Sequence, residues 1–418
     1  MHHHTHRWKS LLYCAFASTF LASTLSHASG FRVPEVSVTG TATSNALVAN
    51  TEELGAVAYN PANISFHSGK AVMLGVNNIF YEQTVNPTGG SKTDGVGDDS
   101  FLVPNVLLSA TGKEKWAFAL LVNAPFGLET SWPDNTFPDF SGSDALEPEL
   151  SRIEMVNFNP NFSYKIDGTS SFAFGFNYYD VRDLTFNTQA VKINGRGSGT
   201  GWNIGYTKKL GDISLGASYR SSVKTDIKGT FDSTALSAPN GPFFLGAEAS
   251  LEFPDILQVG VHYQASQSFG MELDIEHTGW SEFDTIYVTR STGGSFSTST
   301  NNWKDTWAYR LGFIYKFGSA HQLMFGYSYD ETPQPDEFFS ARVPDADRQL
   351  FSIGASHRFA KTWKIEYAYM HVVVDDRTHN SSTTYTPGVT SEPNGTEAYN
   401  GTYESKVDLI GLSISTTF

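Results

Sequence analysis

Apolar and polar residues alternate along most of this chain with a period of two. In residues 307–317, Trp307, Tyr309, Leu311, Phe313, Tyr315 and Phe317 occupy every second position, with Ala308, Arg310, Gly312, Ile314 and Lys316 between them. Successive side chains on a strand point to opposite faces, so this spacing predicts a β-strand with one wholly apolar face. The pattern returns in Phe172, Phe174, Phe176 and Tyr178, in Leu323, Phe325, Tyr327 and Tyr329, and in Trp363, Ile365, Tyr367 and Tyr369. It closes the chain in Ile410, Leu412, Ile414, Thr416 and Phe418.

About fourteen such segments run from 70–83 to 404–418. Their connections alternate. Tight polar turns ("TGKEK", "KIDGTS", "KKLGD", "QASQS", "FGSAH", "FAKTW") are interleaved with longer loops at 84–99, 125–151, 188–198, 230–247, 291–302, 332–348 and 375–403. Strict alternation of short and long connections predicts an all-β, 14-stranded antiparallel transmembrane β-barrel, with short periplasmic turns and long outer loops. Such a sheet must close, because an open edge leaves backbone groups unpaired in hydrocarbon. The face opposite Arg310 and Lys316 then looks at lipid, with Trp307 and Tyr309 near one interface and Tyr315 and Phe317 near the other. A secreted repeat-β protein is the other reading, although no fixed-period repeat supports a propeller.

Residues 1–28 change the picture of where the chain goes. Arg7 and Lys9 precede an apolar stretch from Leu11 to Leu25, and Ser26-His27-Ala28 resembles a cleavage site, as in a secretory signal. Cys14, the one cysteine, lies inside it, so the mature chain has neither a disulfide nor a thiol nucleophile. No later apolar run approaches the roughly 18 residues of a membrane-spanning helix. A formal charge of −15 excludes nucleic acid as a partner.

Catalytic chemistry is missing from the pattern. The histidines from His67 to His379 show no H-E-x-x-H or other close metal spacing, and no G-x-S-x-G elbow occurs. We expect no enzyme activity, no metal site and no cofactor. "NGRGSGTG" reads as a flexible loop, and Asp345 and Arg348 in "PDADR" read as a loop ion pair.

Residues 29–66 break the barrel rhythm. They are rich in small residues and interrupted by Pro34 and Pro61, and they read either as a plug inside the lumen or as a disordered periplasmic tail. A fourteen-strand barrel lies between small barrels filled by their own side chains and large open porins, so something must occupy its middle.

At this point the sequence resembles a known family, the FadL/TodX-like transporters of long-chain fatty acids and aromatic hydrocarbons in Gram-negative outer membranes. The resemblance rests on "SGF" at the mature start, "VAYNPA", "VPNVLLSATGKEKWAFALLVNAPFGLET", "SLGASYRSSVKTDIKG", "FPDILQVGVHY", "GWSEF", "WKDTWAYRLG" and "VPDADRQLFSIGASHRF", in that order. It implies a signal at 1–28, a plug at 29–66 and a barrel over 67–418. Gly30, Phe31, Asn60, Pro61 and Ala62 are its implied plug or gate residues. Asn123, Pro125, Phe126 and Gly127 match the kinked third strand that opens the wall sideways; read alone, they would simply end a strand. Lys304 matches a basic ligand-site position, whereas the second cation expected for a carboxylate is replaced by Asn187. The link between strands five and six also lacks the long insertion that some fatty-acid transporters carry.

The expected function is therefore passive outer-membrane transport of a hydrophobic ligand, a fatty acid or an aromatic hydrocarbon, by a monomer that releases it laterally into outer-membrane lipid. A surface adhesin or receptor that binds a partner through its outer loops is the alternative, and a porin for polar solutes comes third.

Overall fold

Fourteen antiparallel strands, each hydrogen-bonded to the next in sequence, form a ring. The computed structural model describes residues 30–112, 115–140, 146–233, 243–386 and 393–418, so the expected signal at 1–28 lies outside the described residues. Strand β1 is Gly69–Pro87, β2 Ser100–Thr111, and β3 has two arms, Trp116–Asn123 and Gly127–Ser131. Next come β4 Leu150–Lys165, β5 Ser170–Asn187 and β6 Val191–Leu210. Strands β7 to β10 each have two arms: Ile213–Arg220 and Val223–Ser233, Phe243–Phe253 and Ile256–Gln264, Phe269–Thr278 and Thr285–Arg290, Ser295–Thr300 and Thr306–Phe317. The ring ends with β11 His321–Asp330, β12 Arg348–Phe359, β13 Trp363–Val374 and β14 Gly401–Thr417. Strand β14 returns to β1 in register from Ala71↔Thr417 to Pro87↔Gly401, which closes the barrel.

The period of two maps onto the wall as expected. Trp307, Tyr309, Tyr315 and Phe317 are exposed on the outside, while Ala308, Arg310 and Ile314 are buried inside. Outward rings at the turn end form a row of near-parallel planes: Tyr315, Phe317, His321, His357, Phe359 and Trp363 are each 4.6–6.4 Å from the next.

Two expected loops are corrected. Residues 191–198 and 295–300 of these stretches are strand: β5 and β6 are joined by residues 188–190 alone, and β9 and β10 by 291–294. The glycines of "NGRGSGTG" are therefore not flexible hinges. They let β7 approach closely, since a Cβ on Gly199 would lie 2.3 Å from the Lys224 carbonyl oxygen. The alternation of short and long connections thus fails at two hairpins, while the strand count stands.

The N-terminal segment fills the lumen as a plug, and residues 31–65 are buried almost throughout. Helix Val38–Ala42 begins at Ser37, whose Oγ accepts the Gly40 N–H at 3.0 Å. Short 3-10 turns follow at Leu54–Ala58 and Pro61–Phe66. The barrel makes room with glycines on its inner face: a Cβ on Gly326 would meet the Thr43 carbonyl carbon at 2.2 Å, and one on Gly216 the Val48 oxygen at 2.3 Å. Polar contacts fix the plug's depth. Glu272 and Asp274 of β9 accept the backbone N–H groups of Ala49 (2.5 Å) and Val48 (3.0 Å). Lys364 of β13 pairs with Glu53 (2.5 Å) and Glu366 (2.8 Å), and Thr39 donates to Glu366 (2.9 Å).

Burial alone would raise the Glu53 pKa, but the Lys364 ion pair and hydrogen bonds from Lys364 and Gln322 outweigh it and hold the carboxyl down to about 2. Because the seated value lies below the ordinary 4.5, this pairing contributes fully above that pH and is lost as pH falls toward 2. Hydrogen-exchange protection factors at residues 47–60 should therefore hold at pH 5 and fall between about pH 4.5 and 2; the same measurement on Glu53→Gln should show no such step.

Candidate functional site

The seam between β2 and β3 is open over part of its length. On β3, Asn123 pairs with Asn157 of β4 and Gly127 with Glu154. Three residues of β3, Ala124, Pro125 and Phe126, thus oppose only Met155 and Val156. The surplus residue forces the chain out of the wall, as in a bulge, and Pro125 has no N–H to give to a ladder.

The kink turns inward and is hydrogen-bonded by the plug. Pro125 O accepts the Val33 N–H at 2.9 Å, and Gly127 N–H donates to Phe31 O at 3.0 Å. Strand β2 pairs with β3 only from Val106↔Val122 to Thr111↔Ala117, which leaves its Ser100–Asn105 stretch without a β3 partner. The gap is bounded below by the Val106↔Val122 pair and above by Val96 N–H donating to Ser131 O at 2.9 Å. Six residues at about 3.4 Å each make it roughly 20 Å long.

A cavity of about 740 Å³ leads into this gap, a size typical of sites for small organic ligands. Inside, it touches the plug from Gly30 to Glu35 and apolar residues of β12 to β14 such as Leu350, Val372 and Leu409. At the gap it touches lumen-facing Ile153 and Met155 together with Leu102 and Phe158, which are exposed on the outside, Leu102 at 71%. The cavity therefore passes through the wall.

Beside the cavity, Phe31 is 3% exposed and ringed by Phe126, Phe253, Trp280, Phe283 and Trp303, with centroid distances of 4.7–6.3 Å. Phe253 stands at the break between the β8 arms, and three further breaks in the wall supply the rest of this ring. They are the β3 kink, the inward turn Trp280–Glu282 with Phe283 between the β9 arms, and Trp303 between the β10 arms. Gly30 is clamped next to it: its N–H donates to Asp345 (2.9 Å) and its carbonyl accepts from Arg348 (3.0 Å).

Residues 19–418 match the family described as outer membrane protein transport protein (OMPP1/FadL/TodX). The chain belongs to this family. It is 24% identical to the long-chain fatty acid transport protein of Escherichia coli strain K12, over 87% of this chain and 92% of that one. The solved structure of a Pseudomonas aeruginosa FadL homologue superposes with a TM-score of 0.76 at 19% identity, covering 93% of this chain and all of that one. The Ralstonia pickettii toluene transporter TbuX follows at a TM-score of 0.70 and 15% identity, over 92% of this chain and all of that one. As a FadL/TodX-family barrel, the protein resides in the outer membrane and transports hydrophobic compounds; it is not an enzyme.

Within this transporter the residues singled out in the sequence fall in three places. Gly30, Phe31, Asn123, Phe126 and Gly127 line the cavity, and the Pro125 carbonyl holds the plug there. Asn60, Pro61 and Ala62 lie near the turn end. The Asn60 amide donates to Val48 O (2.9 Å), Tyr206 O (3.0 Å) and Thr207 (3.0 Å), and Ala62 O accepts from Ser171 at 2.7 Å. Lys304 stands apart. Its side chain is exposed, it does not line the cavity, and its backbone N–H donates to Pro333 O at 2.9 Å.

Asn187, found in the expected cation's place, accepts from Arg342 through its backbone oxygen at 3.3 Å. The cations that do line the cavity are paired with acids: Arg32 with Glu276, Arg152 with Glu129, Arg182 with Asp180 and Arg348 with Asp345. Sequence reading took the last pair for a loop contact. It missed that both partners hold Gly30, since nothing local in "PDADR" points to the plug.

Proposed function

We propose that this protein carries hydrophobic compounds, long-chain fatty acids among them, passively from its loop end into the plane of the outer membrane. The single observation behind this reading is a cavity that connects the plug, through a gap in the wall, with residues that face lipid. An apolar chain crosses the polar outer surface poorly, but it meets a continuous apolar lining from Phe31 to Leu102. Phe31 is the gate. Its ring holds the place of a ligand chain, and moving it joins the aromatic compartment to the cavity. The bent third strand supplies the sideways exit. One chain contains gate, cavity and gap, so a single copy suffices, and a surface receptor needs none of the three.

The mature chain is expected to lack cysteine, so a thiol introduced at Leu102 can be labelled alone. Leu102→Cys should support fatty acid uptake until a bulky maleimide is attached, and uptake should then stop. The same label at Tyr287→Cys, equally outside but far from the gap, should leave uptake intact. Uninterrupted uptake with Leu102→Cys fully labelled would reject the sideways route.

A further inference from the structure

Among the described residues, a lumen-facing arginine has no acid to answer it. Arg220 ends the lower arm of β7, faces inward and is half-buried. Its guanidinium donates to the Asn177 side-chain oxygen, and among the described residues no carboxylate pairs with it. Every cation lining the cavity, by contrast, has such a partner. A guanidinium withdrawn from water without a counter-ion is costly, so the arrangement favours an anion that arrives from outside.

Its surroundings are built for oxygen. Tyr179 of β5, 1% exposed, has a hydroxyl with no hydrogen-bond partner, and it lies near enough to Arg220 for the two groups to interact electrostatically. The ring of Tyr179 packs 5.5 Å from Phe253 and 6.2 Å from Phe126, so it forms the floor of the compartment that holds Phe31. Below it begins a network of asparagine side chains. Asn157 donates to Asn123 (3.2 Å) and to Asn177 (3.4 Å), Asn177 donates to Asn203 (3.1 Å), and Asn203 donates to Asn161 (2.8 Å). Asn123 is also a cavity residue, so the network leads from the cavity wall to the guanidinium. Apolar compartment and polar network meet at Tyr179 and Arg220.

We propose that Arg220, with the Tyr179 hydroxyl, is the head-group site for an anionic amphiphile, a long-chain carboxylate whose apolar chain occupies the compartment now filled by Phe31. This deepens the proposed function and rests on it. The bound carboxylate takes hydrogen bonds from the guanidinium and the phenol, and neutralises a charge that the empty lumen leaves alone. The asparagine network beneath is polar and offers an apolar chain nothing, so the ligand goes no deeper and leaves through the gap. Selection of acids over hydrocarbons then lies with Arg220 and not with Lys304.

The experiment compares hexadecanoic acid with its methyl ester for binding to the purified barrel in detergent, for the natural protein and for Arg220→Gln, Arg220→Lys, Tyr179→Phe and Lys304→Met. Heat-modifiable migration on gels reports that each variant is folded. Arg220→Gln should weaken the acid by about tenfold or more, as expected for one lost charge-assisted hydrogen bond, and change the ester by less than about twofold. Arg220→Lys should restore part of the acid binding, which a purely structural role of Arg220 would not produce selectively. Equal loss for acid and ester overturns the assignment. So does a loss confined to Lys304→Met, or no loss at all, the result expected if the head group sits instead against the unpaired indole N–H groups of Trp280 and Trp303. If the natural protein binds the ester but not the acid, Arg220 loses its role while hydrophobic transport stands; if it binds neither, both readings fail.

Discussion

Removing Pro125 alone should close the wall and end uptake. The deletion leaves Ala124 and Phe126 opposite Met155 and Val156, two residues against two, so the β3–β4 ladder can run unbroken from Asn123↔Asn157 to Gly127↔Glu154. Ala124 then faces out and Phe126 in, in step with the inward Asn123. A straight β3 also offers its free edge to Ser100–Asn105 of β2, which now has no partner there. The β2 edge gains ladder hydrogen bonds for backbone now unpaired at membrane depth, and the two plug hydrogen bonds lost with the kink are exchanged for β3–β4 ladder bonds, so the variant should still fold. It should stay heat-modifiable and still bind hexadecanoic acid, because the cavity lining outside β3 remains in place. Cellular uptake of labelled fatty acid should drop to that of cells without the protein. Uptake at the parent's rate, with the straightened strand verified by structure, would remove lateral release and leave the barrel and its family unaffected.

Deleting residues 30–60 should turn the transporter into a pore. Those residues occupy a lumen whose own side chains are too small to fill it, since Gly216, Gly326 and Gly354 stand where the plug passes. The wall they leave is also polar, with Glu276, Arg310 and Asp330 freed of Arg32 and Lys364 freed of Glu53. A lumen of this strand number, emptied and hydrated, should conduct ions and small sugars, which planar-bilayer conductance and liposome swelling would register. A barrel that folds yet conducts no better than the parent would place the seal in the loop-end cap of Trp132, Phe137, Phe140, Phe339 and Tyr399 instead.

Most of the wall was legible in the sequence because a strand's period of two is local and each face meets one medium. Trp307 to Phe317 could be assigned to lipid without knowing any neighbour. The β3 kink was half-legible: Pro125 and Gly127 mark a departure from the ladder, but only the β4 register shows one surplus residue and not a strand end. Glycines misled at "NGRGSGTG", where Gly199 answers to crowding by Lys224 and not to a need for flexibility. The Phe31 compartment was invisible for a different reason. Its ring comes from breaks in β3, β8, β9 and β10, distant in sequence, and no single break announces its partners. Arg220 sits in a regular alternating strand, and what distinguishes it is a missing counter-ion, which no sequence pattern records.

Some of the plug's partners come late in the chain. Gly30 meets Asp345 across 315 positions, Thr39 meets Glu366 across 327, and Glu53 meets Lys364 across 311. The segment synthesised first therefore cannot complete its contacts until β9 to β14 are in place, although its partners on β1 to β6 come earlier. Closing such long loops is slow compared with forming neighbouring hairpins. Until then, the apolar residues Leu47, Val48, Val57 and Ile64, all fully buried at the end, are exposed in an unfinished chain. Assembly of this barrel thus has a built-in waiting period, in which the N-terminal forty residues need shelter from aggregation, and the final strand closure and the stoppering of the lumen become one event.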